Sequence, residues 1–230
     1  MAAAFVPVEN NPALLTRFSR ILGLEKNLAF HDVYSLDLLD LIPRPAKALL
    51  LVFPLSQAYQ HSIPDDDARF GASPDSKHVC WIKQTIKNAC GTIALLHSIA
   101  NNGVVDNIVP ASALNTLITE LLSRPAAERP RVLETSSILA DAHKEMASQG
   151  DSAPPDADQD TNLHFVCYTR GTDGHIYELD GRRSGPLDRG ILPDDQDLLG
   201  EAVITLIRQF IQREQSNIQF SLVALSPSLD

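Results

Sequence analysis

The sequence predicts an α+β fold in α/β/α layers, with one sheet packed between helices. Three observations predict it. Residues 47–53, continuously apolar from Ala48 to Phe53, read as a strand buried on both faces. Two alternating segments flank the Gly-containing connection 170–174, which reads as a hairpin. Several other stretches carry apolar residues at helical spacing, so helices are available to cover both faces of the sheet. With 230 residues and 44% hydrophobic content the chain can bury one substantial core, and no break in composition divides residues 1–230 into two domains.

The elements follow in order. Asn11 and Pro12, ahead of Leu14, Leu15, Phe18, Ile21 and Leu22, give an N-cap, a first-turn proline and one apolar helical face. The strand at 47–53 ends at Pro54. Residues 62–77 are rich in Ser, Pro, Asp and Gly and read as a solvated, mobile loop. Residues 90–102 predict a mostly apolar helix inside the fold. Residues 111–123 and 131–147 predict two amphipathic surface helices, through Leu114, Leu117, Ile118 and Leu121 and then Val132 and Leu139. A second loop-like stretch, 146–162, precedes the hairpin at 163–180. A helix over 198–213 with Val203, Leu206, Ile207 and Phe210 inward, and a strand over 218–225, complete the chain.

Composition narrows the function classes. The chain carries 29 Asp and Glu against 19 Lys and Arg, a formal charge of −10. That surplus repels polyphosphate and favours a basic partner, although solubility alone accounts for a charge of this size. Cys80, Cys90 and Cys167 make an odd count, and the amino terminus is not signal-like, so free thiols in a cytoplasmic setting are expected. The apolar run is far shorter than the ~20 residues of a membrane-spanning helix, so no membrane association is expected. CxxC, HExxH, GxSxG and GxGxxG are all absent, and no metal or cofactor is expected. A monomer is the default.

The most informative stretch is Gln84-Thr-Ile-Lys-Asn-Ala-Cys90-Gly-Thr-Ile-Ala-Leu-Leu-His97. It sets one thiol where an apolar helix begins. Helix starts carry unpaired N–H groups and a partial positive charge, the surroundings in which cysteine acts as a nucleophile. In the hairpin, Thr172 at the tip pairs Thr169 with His175 and sets His164 opposite Asp180. Directly opposed residues have Cβ atoms about 4.5–5.5 Å apart, close enough for an imidazole–carboxylate hydrogen bond, and a bulge would make the pair diagonal without removing the contact. Each residue also has a plain structural reading: Cys90 as an inert core thiol, Gln84 as a helix cap, Asp180 as a turn residue before Gly181. Cys80 and Cys167 keep that reading, Cys167 on the strand face opposite His164. His97 lies about 10.5 Å along the helix from Cys90, too far to activate it. His31, His61, His78, His143 and His175 have no comparable partner.

Taken together, Phe5-Val-Pro-Val-Glu9, Phe30-His-Asp32-Val-Tyr34, Pro43-Arg-Pro45, the Gln84–Cys90 block with Ala100-Asn-Asn102, Leu163-His164-Phe165 and Tyr177-Glu-Leu-Asp180-Gly181 resemble the ubiquitin carboxyl-terminal hydrolases, a family of papain-like cysteine peptidases. The resemblance covers nearly the whole chain. Phe5 stands where the family often has Trp, and 62–77 and 146–162 match poorly. It implies a papain-like fold with a mainly antiparallel central sheet and a knotted backbone, and a crossover loop at 146–162 above the active site that limits the leaving group. It implies a deubiquitinating thiol hydrolase that cleaves small or unstructured adducts from the carboxyl-terminal glycine of ubiquitin through a thioester. Cys90 is then the nucleophile, His164 the base, Asp180 its orienting partner and Gln84 an oxyanion donor, with no cofactor. Glu9 and Asp32 match positions near the ubiquitin surface, where they would meet the arginines of its tail. Two further readings are a protein that binds and shelters ubiquitin with slow catalysis, and a hydrolase for a related ubiquitin-like modifier.

Overall fold

The structure, a computed structural model, describes residues 5–147, 163–214 and 219–229, with the backbone alone for 144–147. Helix α1 spans Pro12–Leu22, where Asn11 accepts the N–H groups of Ala13 and Leu14 at 3.0 and 3.2 Å and Pro12 occupies the first turn. Strand β1 (Leu28–Asp32) and strand β2 (Ala48–Pro54) follow, then helices α2 (Gln57–Arg69), α3 (Cys90–Ile99), α4 (Ala113–Ser123), α5 (Arg129–Thr135) and α6 (Ser137–Ala147). Strands β3 (Leu163–Arg170), β4 (His175–Leu179) and β5 (Leu187–Ile191), helix α7 (Glu201–Arg213) and strand β6 (Ser221–Pro227) complete the order. The six strands form one sheet in the order β1-β6-β2-β3-β4-β5, and every neighbouring pair is antiparallel.

The continuous apolar run of β2 is explained by two cores. Ala48, Leu50 and Val52 face one side with Phe165 and Cys167 of β3, against α1, α3, α4 and α6. Leu49, Leu51 and Phe53 face the other with Val166 and Tyr168, against α2 and α7. Buried on both faces, such a strand has no place for a polar residue, and each fully buried Leu or Phe contributes about 1.5–3 kcal/mol of transfer free energy. Cys167 lies in the first core and His164 heads the opposite face, as alternation requires.

The structure corrects several expectations. Within the expected loop at 62–77, residues up to Arg69 belong to α2, which continues through Pro64. Its capping residue is Ser56, and Asp66 and Asp67 in its last turns bind the buried Arg183 at 3.3 and 3.0 Å. An ion pair across more than a hundred residues holds a segment that local composition marks as loop. Residues 131–147 are two helices, because Ser136 leaves helical geometry (ψ 101°) and its hydroxyl caps α6 at Leu139 N–H. The hairpin pairs Thr169 with Tyr177 and Cys167 with Leu179, one pair out from the expected register, since the turn closes on Gly171 N–H to His175 O at 2.8 Å. The crossover segment at 148–162 and Ile218 lie outside the described residues.

Candidate active site

The register shift takes Asp180 off the position opposite His164, yet leaves it on the same face, diagonal to it. His164 is set by β2, where it pairs with Phe53, whose ring meets the imidazole edge-on at 5.7 Å. Nε2 of His164 and Oδ1 of Asp180 are 2.8 Å apart, and both side chains are 1% exposed or less. Oδ1 also accepts the Arg182 N–H at 2.8 Å, and the Tyr59 hydroxyl donates to Oδ2. The plain reading of Asp180 as a turn residue therefore holds alongside the contact to His164.

Just beyond β4 the chain turns against residues 81–84, which brings the Gln84 segment to the pair. Trp81 Nε1 donates to the Asp180 carbonyl at 2.9 Å, Gln84 N–H to the Gly181 carbonyl at 2.9 Å, and Lys83 Nζ to the carbonyls of Arg182 and Arg183. A side chain at Gly181 would meet Gln84 Cβ at 2.9 Å and Gln84 N at 3.1 Å, so the approach requires glycine. Gln84 does not cap α3. Its Nε2 donates to the Ile86 carbonyl at 3.3 Å, and Oε1 has no partner among the described residues. The N-cap residue of α3, Ala89, makes no side-chain hydrogen bond to the helix start at Cys90, the kind of terminus that can receive an oxyanion.

Cys90 is partly exposed, with Sγ 3.8 Å from the carbonyl of Leu163, the residue before His164. The ring nitrogen of His164 that does not face Asp180, Nδ1, has no hydrogen-bond acceptor among the described residues. Burial alone would lower the His164 pKa, but the Asp180 carboxylate, seconded by Cys90, raises it to about 9. Asp180 shifts the opposite way. Burial would raise its pKa, and His164 together with the Tyr59 and Arg182 donors brings it below the usual carboxylate range. The site can therefore hold an imidazolium beside a sulfur at neutral pH, the arrangement of an activated thiol.

The other cysteines and histidines have structural places. Burial raises the thiol pKa of both Cys80 and Cys167. His97 is fully buried, accepts the Ile82 N–H on Nε2 at 2.9 Å, and is driven by burial to a pKa of about 3. His143 stacks on Phe5 at 4.2 Å. Among the described residues no three His, Cys, Asp or Glu side chains could hold a metal ion, and no helix is long and apolar enough to cross a membrane. Asp32 pairs with Val223, and Asn10, next to Glu9, bonds Ser221, so both acidic residues stand along the end of the sheet that carries His164. Sequence reading missed Tyr59, Glu178 and Arg183. Tyr59 sits in a segment without apolar periodicity, and nothing local marks it. Trp81, the single tryptophan, three residues before Gln84, was the one visible signal.

A profile of the ubiquitin carboxyl-terminal hydrolase family 1 matches residues 5–212. This chain belongs to that family. Ubiquitin carboxyl-terminal hydrolase isozyme L1 of Monodelphis domestica is 36% identical over 221 residues, 95% of this chain and 96% of that protein. Ubiquitin carboxyl-terminal hydrolase YUH1 of Saccharomyces cerevisiae is 35% identical over 237 residues, 98% and 97% of the two chains. In structure, the catalytic domain of Trichinella spiralis UCH37 bound to ubiquitin vinyl methyl ester superposes with a TM-score of 0.76 over 97% of this chain and 95% of that one, at 22% identity, a likeness of fold. The family is one of cysteine peptidases, so the chain is a thiol-dependent hydrolase.

Proposed function

We propose that this ubiquitin carboxyl-terminal hydrolase releases small or unstructured adducts from the carboxyl-terminal glycine of ubiquitin through a thioester on Cys90. The observation that carries the assignment of roles is the buried 2.8 Å contact of His164 Nε2 with Asp180, which leaves Nδ1 without a hydrogen-bond partner among the described residues. The Cys90 thiolate attacks the glycine carbonyl. Gln84 Nε2, turning from the Ile86 carbonyl, and the Cys90 N–H receive the negative charge that develops on the carbonyl oxygen. A donor of this kind contributes about 2.7–4 kcal/mol to transition-state stabilisation elsewhere. The His164 imidazolium gives its proton to the leaving amine, and the neutral ring then draws a proton from the water that cleaves the thioester. Asp180 holds the ring and stabilises its cation throughout. Glu9 and Asp32, along the same sheet end, meet the basic tail of ubiquitin. Family membership does not favour a purely sheltering role.

The test is to incubate the protein with ubiquitin bearing a carboxyl-terminal thiol-reactive group, and with a related modifier bearing the same group. A ubiquitin adduct mapped to Cys90 and absent in Cys90→Ser is expected, as is near-complete loss of turnover in His164→Ala. Preferential adduct formation with the other modifier would redirect the substrate, and normal turnover in folded His164→Ala would refute the role of that histidine.

A further inference from the structure

Asp180 is fully buried, and both its contacts to His164 and to the Arg182 N–H fall on Oδ1. Two bonds to one oxygen restrain only one side of the carboxylate, and the tilt of its plane depends also on what Oδ2 meets. On Oδ2, the Tyr59 hydroxyl is the sole hydrogen-bond donor among the described residues. We propose that Tyr59 is a positioning residue of this hydrolase: its hydroxyl, by binding Oδ2, fixes the plane of the Asp180 carboxylate and through it the direction of the His164 ring. The proposal rests on the reading of Cys90, His164 and Asp180 as the catalytic triad.

Tyr59 is built to stay where it is. In the first turn of α2 its backbone N–H is held by the Ser56 hydroxyl at 2.8 Å. Its ring packs edge-on to Phe53 at 4.8 Å and to Phe210 at 5.8 Å, and the Arg183 guanidinium covers it at 5.3 Å. Arg183 is itself fully buried among Asp66, Asp67 and Glu178, and Glu178 is shared with Arg189 at 2.7 Å. The charged groups that face Tyr59 are therefore Asp180, Arg183, Glu178 and, 6.0 Å from the ring, Arg213. Burial first, then the Asp180 charge, pushes the phenol pKa well above its usual value, so it remains a donor wherever the enzyme works. Asp180 is sealed from solvent, so loss of that donor leaves a buried carboxylate oxygen unsatisfied. A carboxylate that swings lets the imidazole swing with it, and misplacement of a catalytic group lowers the chemical step more than binding.

Tyr59→Phe removes the hydroxyl and keeps the ring. On a fluorogenic carboxyl-terminal amide of ubiquitin, kcat is expected to fall at least tenfold with KM within twofold of the parent. The rate of Cys90 labelling by ubiquitin vinyl methyl ester, measured in parent and Asp180→Ala backgrounds, supplies the second readout. If Tyr59 acts through Asp180, Tyr59→Phe slows labelling in the parent and leaves it within twofold in Asp180→Ala. An unchanged kcat, a loss carried by KM, or the same fold-loss in both backgrounds overturns the proposal. Replacing all tyrosines by 3-fluorotyrosine, whose hydroxyl is a stronger donor, is expected to move the NMR resonance of the proton on His164 Nε2; an unmoved resonance overturns it even where Tyr59→Phe does not fold. Parent activity that persists in Cys90→Ser would instead sink the triad itself.

Discussion

Gly181→Ala adds one methyl group at the point where the Asp180 turn lies against the Gln84 segment. Built on the observed backbone, the new carbon lies 2.9 Å from Gln84 Cβ, 3.1 Å from Gln84 N and 3.3 Å from the Ile82 carbonyl oxygen. Two of those three atoms are backbone, so no rotamer change relieves the contact, and the two segments must part by several tenths of an ångström. That lengthens the 2.9 Å bond from Gln84 N–H to the Gly181 carbonyl. Overpacking of this kind costs about 1–3 kcal/mol of stability. The catalytic loss is bounded by full removal of the Gln84 donor, about 2.7–4 kcal/mol, or roughly 10²–10³ in kcat. A partial displacement is expected to lower kcat by about ten- to a hundredfold, with KM held because an oxyanion donor acts on charge that develops only in the transition state. Turnover of a fluorogenic ubiquitin amide gives kcat and KM, and urea unfolding gives the stability. Alkylation of Cys90 by iodoacetamide, which forms no oxyanion, is expected to stay within threefold of the parent. A variant with parental kcat and a parental urea midpoint would refute the steric reasoning, and a collapse of alkylation in step with kcat would place the damage on Asp180 and His164.

Two predictions concern pH. Turnover is expected to fall along an alkaline limb near pH 9, because His164, with its pKa raised to about 9, loses there the proton that the leaving amine requires; a pH–rate profile flat through pH 10 would contradict this. His97 acts in the opposite range. Its folded pKa of about 3 lies below the ordinary 6.5, so its contribution to stability is complete above 6.5 and is lost as pH falls towards 3. Urea unfolding of the parent across that window is expected to show a declining stability that His97→Gln flattens, and parallel slopes in the two proteins would count against it.

A sheet packed between helices was legible wherever a pattern was local, and the antiparallel order of the sheet as a whole entered only through the family resemblance. Asn11 with Pro12 announced α1, the unbroken apolar run announced a strand with cores on both faces, and the helical spacing of Leu114, Leu117, Ile118 and Leu121 gave α4. The segments that failed were held by distant charge. Helix α2 depends on Arg183 for Asp66 and Asp67, and β5, whose sequence Leu-Asp-Arg-Gly-Ile carries no clear period, is tied to β4 through Arg189 and Glu178. Hydrophobic spacing reports contacts within an element and says nothing of an ion pair made across the chain.

By itself the sequence marked the candidate chemical groups: one cysteine at a helix start, a glutamine six residues before it, a histidine at the head of a strand and an aspartate at the end of the next. Their order and spacing survive any small change of register, because strand alternation keeps His164 and Asp180 on one face. Only the tertiary structure decided how they meet. The turn closing on Gly171 made the pair diagonal, the close approach at Gly181 delivered Gln84, and the packing of α2 over Phe53 brought Tyr59 to the free oxygen of Asp180. Those contacts join residues far apart in the chain, and their geometry is set by the filling of buried space, which no local pattern encodes.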